Sequence, residues 1–154
     1  VTRFDGTPFV LVITQANGEE ENRCVPGLQV DRGTRTLATL EQHVDHAVRF
    51  VRGRHYHRHF GFDTCLIPFL FTEAARMRHV MRYVEKTVGP CKFLLFKLVP
   101  DFHQDLDHFP RPDHYDPAYR YATDEWRPPD TIHVITSPWN RVGYPNFLLA
   151  GENP

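Results

Sequence analysis

At 154 residues and 18.0 kDa the chain has room for one domain with a real core and is too short for two ordinary ones. A formal net charge of -1 conceals a skewed basic set, 15 Arg to 3 Lys beside 10 His, and guanidinium is the cation best matched to phosphate. No apolar stretch reaches membrane-spanning length and no cationic leader precedes an apolar run, so the sequence predicts a soluble, cytoplasmic chain with no membrane partner, read as a fragment of a longer protein.

Cys24, Cys65 and Cys91 are odd in number, far apart and set among apolar residues, which argues against a disulfide framework or a Cys-based zinc site and for small buried thiols. Residues 32–92 hold 11 Lys/Arg against 5 Asp/Glu, whereas residues 99–130 hold 3 against 8. That asymmetry predicts a basic face beside an acidic one, or ordinary solvated helix faces.

In chain order, PFVLVITQA (8–16) is a β-branched apolar run followed by the turn pair Asn17-Gly18, and the chain returns through RCVPGLQVD (23–31). The pattern predicts an antiparallel hairpin, with Pro26 marking an edge or bulge in its second arm. Leu37, Leu40, Val44, Ala47, Val48 and Val51 recur at helical spacing over about 36–52, with Thr36 or Thr39 as cap. RGRHYHRHFGF (52–62) reads as a loop, and DTCLIPFLF (63–71) as a buried strand interrupted by Pro68. Thr72 is placed to cap a second helix lined by Met77, Val80, Met81, Val84 and Val88, whose other side shows Arg76, Arg78, Arg82 and Lys86.

Gly89-Pro90 stops that helix, and CKFLLFKLV (91–99) reads as another interior strand. Pro100–Pro129 is an irregular excursion rich in Pro, Asp, His and Tyr, of the kind that docks a protein partner or stays solvated. TIHVIT (131–136) reads as a short strand, and SPWNRVGYPNFLL (137–149) as a last edge strand. Helices between interior strands imply crossovers, hence an α/β domain over residues 1–154 with a mixed central sheet flanked by helices.

Alternation along a strand puts Gln29 and Asp31 on one side and Leu28 and Val30 on the other. Asp5, ahead of the first strand, would approach Asp31 if hairpin pairing extended that far. Two carboxylates and an amide oxygen make an oxygen-lined seat suited to Mg²⁺ or Mn²⁺. Taken alone, Asp31-Arg32-Gly33-Thr34 is equally a strand-to-helix turn, with Gly for backbone freedom and Asp or Thr for capping. His55, His57 and His59 would point together if their segment were extended, as zinc ligands, as phosphate contacts or as an ordinary exposed loop.

Four stretches, RFDG (3–6), LQVDRGT (28–34), FGFDTCLIPFLFTEAARMRHV (60–80) and SPWNRVG (137–143), resemble the replication-relaxation family of plasmid and mobile-element proteins. The order of elements resembles the restriction-endonuclease-like core, whose pattern is Pro-Asp, then a hairpin strand bearing an acid, any residue and Lys. The resemblance implies a Mg²⁺- or Mn²⁺-dependent endodeoxyribonuclease in which Asp5 and Asp31 hold the metal and Gln29 stands where the family has Glu. It also implies that a DNA-binding segment precedes this region. Arg32, Thr34, Arg49, Arg78 and Arg82 are the expected DNA contacts, Arg78 and Arg82 lying one turn apart where they track a phosphate backbone or merely keep the helix solvated. Phe4 replaces the motif's Pro, and no Lys follows on that strand or the next helix, so the usual Lys is absent or replaced by Arg49, His43 or another group. A neutral amide at position 29 removes a negative charge from the seat, and the alternative is a non-catalytic DNA-binding or protein-assembly module on the same scaffold.

Overall fold

The computed structural model describes residues 8–98, 138–149 and 153. Asp5, the strand predicted at 131–136 and the whole of the excursion therefore lie outside the described residues. β1 (Phe9–Thr14) and β2 (Glu20–Val25) form the expected hairpin, in register from Phe9 opposite Val25 to Thr14 opposite Glu20. Its turn follows from local chemistry: Gly18 adopts φ 84°, its N–H donates to Gln15 O at 2.9 Å, and Asn17 Oδ1 accepts from Glu19 N at 2.9 Å. Phe9, Leu11 and Ile13 turn inward while Val10, Val12 and Thr14 face out.

The second arm, however, is two strands rather than one. Pro26, with no N–H and a fixed φ, ends the hairpin ladder, and after Gly27 the chain starts β3 (Gln29–Asp31), which pairs in parallel with β4 (Ile67–Phe71). β5 (Leu94–Leu98) lies parallel on the other side of β4, giving the order β3-β4-β5. β6 (Pro138–Trp139) and β7 (Phe147–Leu148) pair antiparallel where one edge strand is expected, and Asn140 joins β5 by a two-way backbone bridge with Phe96, at 2.9 and 2.8 Å.

Pro68 is tolerated inside central β4 because of the same break. Leu66 N donates to Cys24 O and Thr72 N to Asp31 O, so Pro68 faces the side on which Pro26-Gly27 interrupts the neighbouring chain.

α1 (Leu37–Arg52) joins β3 toward β4 and α3 (Ala74–Thr87) joins β4 to β5, so both run back along one face of the sheet, parallel to each other. Thr36 caps α1, its hydroxyl accepting from Thr39 N at 3.2 Å. Glu73 rather than Thr72 occupies the cap position of α3, without a side-chain cap bond. Leu40, Val44, Ala47 and Val48 of α1 and Met77, Val80 and Val84 of α3 pack on Phe69, Phe71, Phe96 and Leu98 in the main core. On the opposite face Val25, Leu95, Trp139 and Leu149 form a second cluster with Phe9, Leu11 and Phe147, so the sheet is sandwiched between helices and the two antiparallel ribbons.

The HYHRH segment corrects the loop expectation: it is a short helix, α2 (His55–Phe60), entered through Arg54 at φ 53° and left through Gly61 at φ 75°. Residues two apart on a helix lie about 200° apart, so His55, His57 and His59 diverge and do not converge on one ion. Cys24, Cys65 and Cys91 are free thiols and buried. Among the described residues no helix is long and apolar enough to cross a membrane.

Candidate functional site

The sheet register decides where Gln29 and Asp31 point. Gln29 stands opposite Phe69 and, beyond it, Phe96, while Asp31 stands opposite Phe71 and Leu98, all of them in the core beneath α1 and α3. Both polar side chains therefore face the helices. They sit at the carboxyl edge of the parallel strands, the edge at which open α/β sheets hold ligands.

Asp31 meets Arg76, in the first turn of α3. Arg76 Nε donates to Oδ2 at 2.5 Å and Nη2 to Oδ1 at 2.9 Å, while the same Nη2 also donates to Arg35 O at 2.5 Å. Asp31 is 3% exposed and the Arg76 side chain 15%, so a half-buried guanidinium meets a buried carboxylate in a bidentate pair. Hydrogen bonding to Asp31 raises the Arg76 pKa above its ordinary value, and the charge of Glu73 adds to the effect. The turn after Asp31 needs glycine for its backbone, and a side chain there would also displace the end of the exposed Glu73. Gly33 has φ 80°, and a Cβ there would collide with the Glu73 carboxylate; its N–H points to Asp31 Oδ1 at 3.4 Å.

Gln29 is 5% exposed, with Oε1 3.1 Å from His43 Nδ1 on α1. That nitrogen also lies 3.3 Å from Arg35 Nη1. Arg35 can only donate, so Nδ1 serves either Gln29 as donor or Arg35 as acceptor, and the imidazole tautomer selects which. Farther along, Glu41 Oε1 lies 2.9 Å from His79 Nε2, and the Tyr83 hydroxyl donates to Asp45 at 2.9 and 3.1 Å. Parallel helices explain the four-residue step shared by both partners. The Asp45 bond pushes the Tyr83 phenol up from its usual range.

The residues expected to act together separate into three places. Gln29 and Asp31 share the carboxyl edge, with Arg32 and Thr34 exposed in the turn beside them. Arg78 and Arg82 are exposed along α3. Arg49 lies in the last turn of α1, its Nε donating to Asp45 O at 3.3 Å, so the length of the helix separates it from Asp31. His43 does reach Gln29, but the cation that answers Asp31 is Arg76. The signal for it is positional: the first turn of a helix leaving one parallel strand lies beside the carboxyl end of its neighbour. Hairpin pairing does not place Asp31, since the ladder ends at Phe9 and Val25 and Asp31 belongs to the parallel sheet.

Among the described residues no three His, Cys, Asp or Glu side chains converge to hold a metal. Both Asp31 oxygens are engaged by a guanidinium, and the Gln29 oxygen lies against a ring nitrogen. Asp5, the other carboxylate of the expected Mg²⁺ or Mn²⁺ seat, lies outside the described residues. Lys97, fully buried, lies on the other face of the sheet, where Nζ donates to Pro138 O at 2.6 Å and rests 5.4 Å from the Trp139 ring centroid.

Fold and site together define a mixed α/β domain with an ion-paired carboxyl edge. Compared with family models, curated proteins and solved structures, the chain matches none.

Proposed function

We propose that this domain is a DNA-binding module on a nuclease-like, restriction-endonuclease-like scaffold, of the kind found in replication-relaxation proteins, and that it engages DNA without cutting it. The observation that carries the reading is the Asp31–Arg76 pair: the carboxylate that would hold a catalytic cation is instead satisfied by the protein itself. Gln29 agrees with this, because an amide brings no charge to a metal and here has His43 as its neighbour. The exposed Arg32, Arg78 and Arg82 supply positive charge along the helix side of the same face.

The test is equilibrium binding of labelled DNA across a salt series. The reading expects log affinity to fall linearly with log salt, by roughly 0.7–0.9 per phosphate contact. An affinity indifferent to salt, or no binding, overturns it.

One observation favours the hydrolytic reading: Glu73 brings a second carboxylate against Gly33, two residues beyond Asp31. For that reading to hold, Arg76 must release Asp31 when a metal arrives.

A further inference from the structure

At the amino-terminal edge of the parallel sheet, opposite Asp31, α1 and α3 both end and α2 follows. α1 has 16 residues and is about 24 Å long, so its last turn stands roughly that far from its first, beside Asp31. Residues 46–62 contain four Arg and four His and not one Asp or Glu.

Contacts draw distant segments to this edge. Cys91 N donates to Val142 O at 2.9 Å, and Gly143 packs against Pro90 so closely that a Cβ would meet Pro90 Cβ at 2.8 Å. The Lys92 ammonium lies 5.1 Å from the Tyr144 ring centroid and the Arg141 guanidinium 5.5 Å from it. Cys91 and Val142 share the main core with Val48 of α1 and Tyr56 of α2, which joins these segments to the ends of the helices.

The result is a surface with Arg49, Arg52, Arg54, Arg58, Lys86 and Lys92 exposed and Arg141 half-buried. The acids in the same segments are Asp63 and Glu85, and Asp63 lies 3.7 Å from Arg54 and 3.6 Å from His57. Among the described residues Arg49, Arg52, Arg58 and Lys86 form no ion pair. Basic residues in the last turn of a helix complement its dipole, which accounts for Arg49, Arg52 and Lys86. It does not account for Arg54, Lys92 or Arg141, which lie outside the helices. Exposed rings accompany the charge: Tyr144 at 37%, Phe60 at 41%, and His55 stacked on Phe50 at 5.9 Å.

We infer that this edge is a docking surface for single-stranded nucleic acid, with the guanidinium groups tracking phosphates and Tyr144 and Phe60 meeting unstacked bases. The inference rests on the nucleic-acid reading above and adds the surface and the strand form.

The full chain is titrated with a single-stranded oligonucleotide, the matching duplex and heparin. Arg52→Glu/Arg58→Glu, the milder Arg52→Gln/Arg58→Gln, Tyr144→Ala and, on the other edge, Arg32→Glu are compared, with thermal melts confirming folding. The expected result is at least a tenfold loss of single-strand affinity in the reversal pair, a smaller loss in the Gln pair, and a loss in Tyr144→Ala that is greater for single strand than duplex. Unchanged affinity in the reversal pair and Tyr144→Ala, with loss in Arg32→Glu, overturns the surface and leaves the DNA-binding reading standing. Equal losses for heparin and both DNA forms overturn the single-strand assignment. No binding of any DNA by the unaltered chain overturns both readings.

Discussion

Arg76 and Asp31, 45 residues apart in the chain, meet through two near-parallel hydrogen bonds at the carboxyl edge of the sheet. The pair ties the first turn of α3 to the end of β3, and through Arg35 O it also fixes the entry to α1. Removing one partner strands a buried charge, whereas removing both does not. Arg76→Ala is therefore expected to destabilise the fold by about 3–5 kcal/mol, and Asp31→Ala/Arg76→Ala by less than the sum of the single changes. A double-mutant cycle in urea measures the coupling, and strict additivity would contradict the pair.

Gly33 tests the turn. Gly33→Ala forces a side chain into the left-handed region and into the Glu73 carboxylate, so a loss of about 1–3 kcal/mol is expected. In a Glu73→Ala background the collision is removed and only the backbone strain remains. The Gly33→Ala loss should then shrink; an unchanged loss would show that Glu73 does not crowd Gly33.

Tyr83 gives an alkaline signature. Its phenol is held above the ordinary 10.0 by its bond to Asp45, so the unfolded chain releases this proton first as pH rises. Stability from this bond is fully present below pH 10.0 and is lost as pH rises through the folded-state value. Phenolate absorbance in the native protein should show a late-titrating component, and Tyr83→Phe should diminish it by one tyrosine. Asp45→Asn should bring the tyrosine back toward its ordinary range.

The thiols should be inert. Burial pushes Cys65 up to about 12, and Cys24 and Cys91 are raised for the same reason. Alkylation at neutral pH should therefore be slow in the native chain and complete in denaturant. Rapid native labelling of Cys65 would contradict the packing of β2 against the start of β4.

Much of this architecture is legible in the sequence because it is local. Asn17-Gly18 announces its turn, Thr36 its cap, and the apolar stripes of α1 and α3 their buried faces. What escapes is decided elsewhere in the chain. RCVPGLQVD reads as one arm because its apolar content is continuous; only the partner surface of β4 reveals that Pro26-Gly27 divides it. HYHRH carries no apolar period, and its helix is held by Tyr56, buried and donating to Asp63 O at 3.0 Å, and by left-handed residues at both ends. Gln29 and Asp31 are correctly placed on one face by alternation alone. Of their partners, His43 is among the groups the sequence offers, whereas Arg76 arrives through a crossover that no local pattern encodes.

The most direct test of binding without cutting follows both on the same labelled DNA, with Mg²⁺ or Mn²⁺ added. The unaltered chain, Gln29→Glu, Arg76→Ala and Asp31→Asn are compared. The account predicts that the unaltered chain retains DNA in a salt-dependent manner and leaves it intact with either metal. Metal-dependent cleavage by the unaltered chain, abolished by Asp31→Asn, would contradict it.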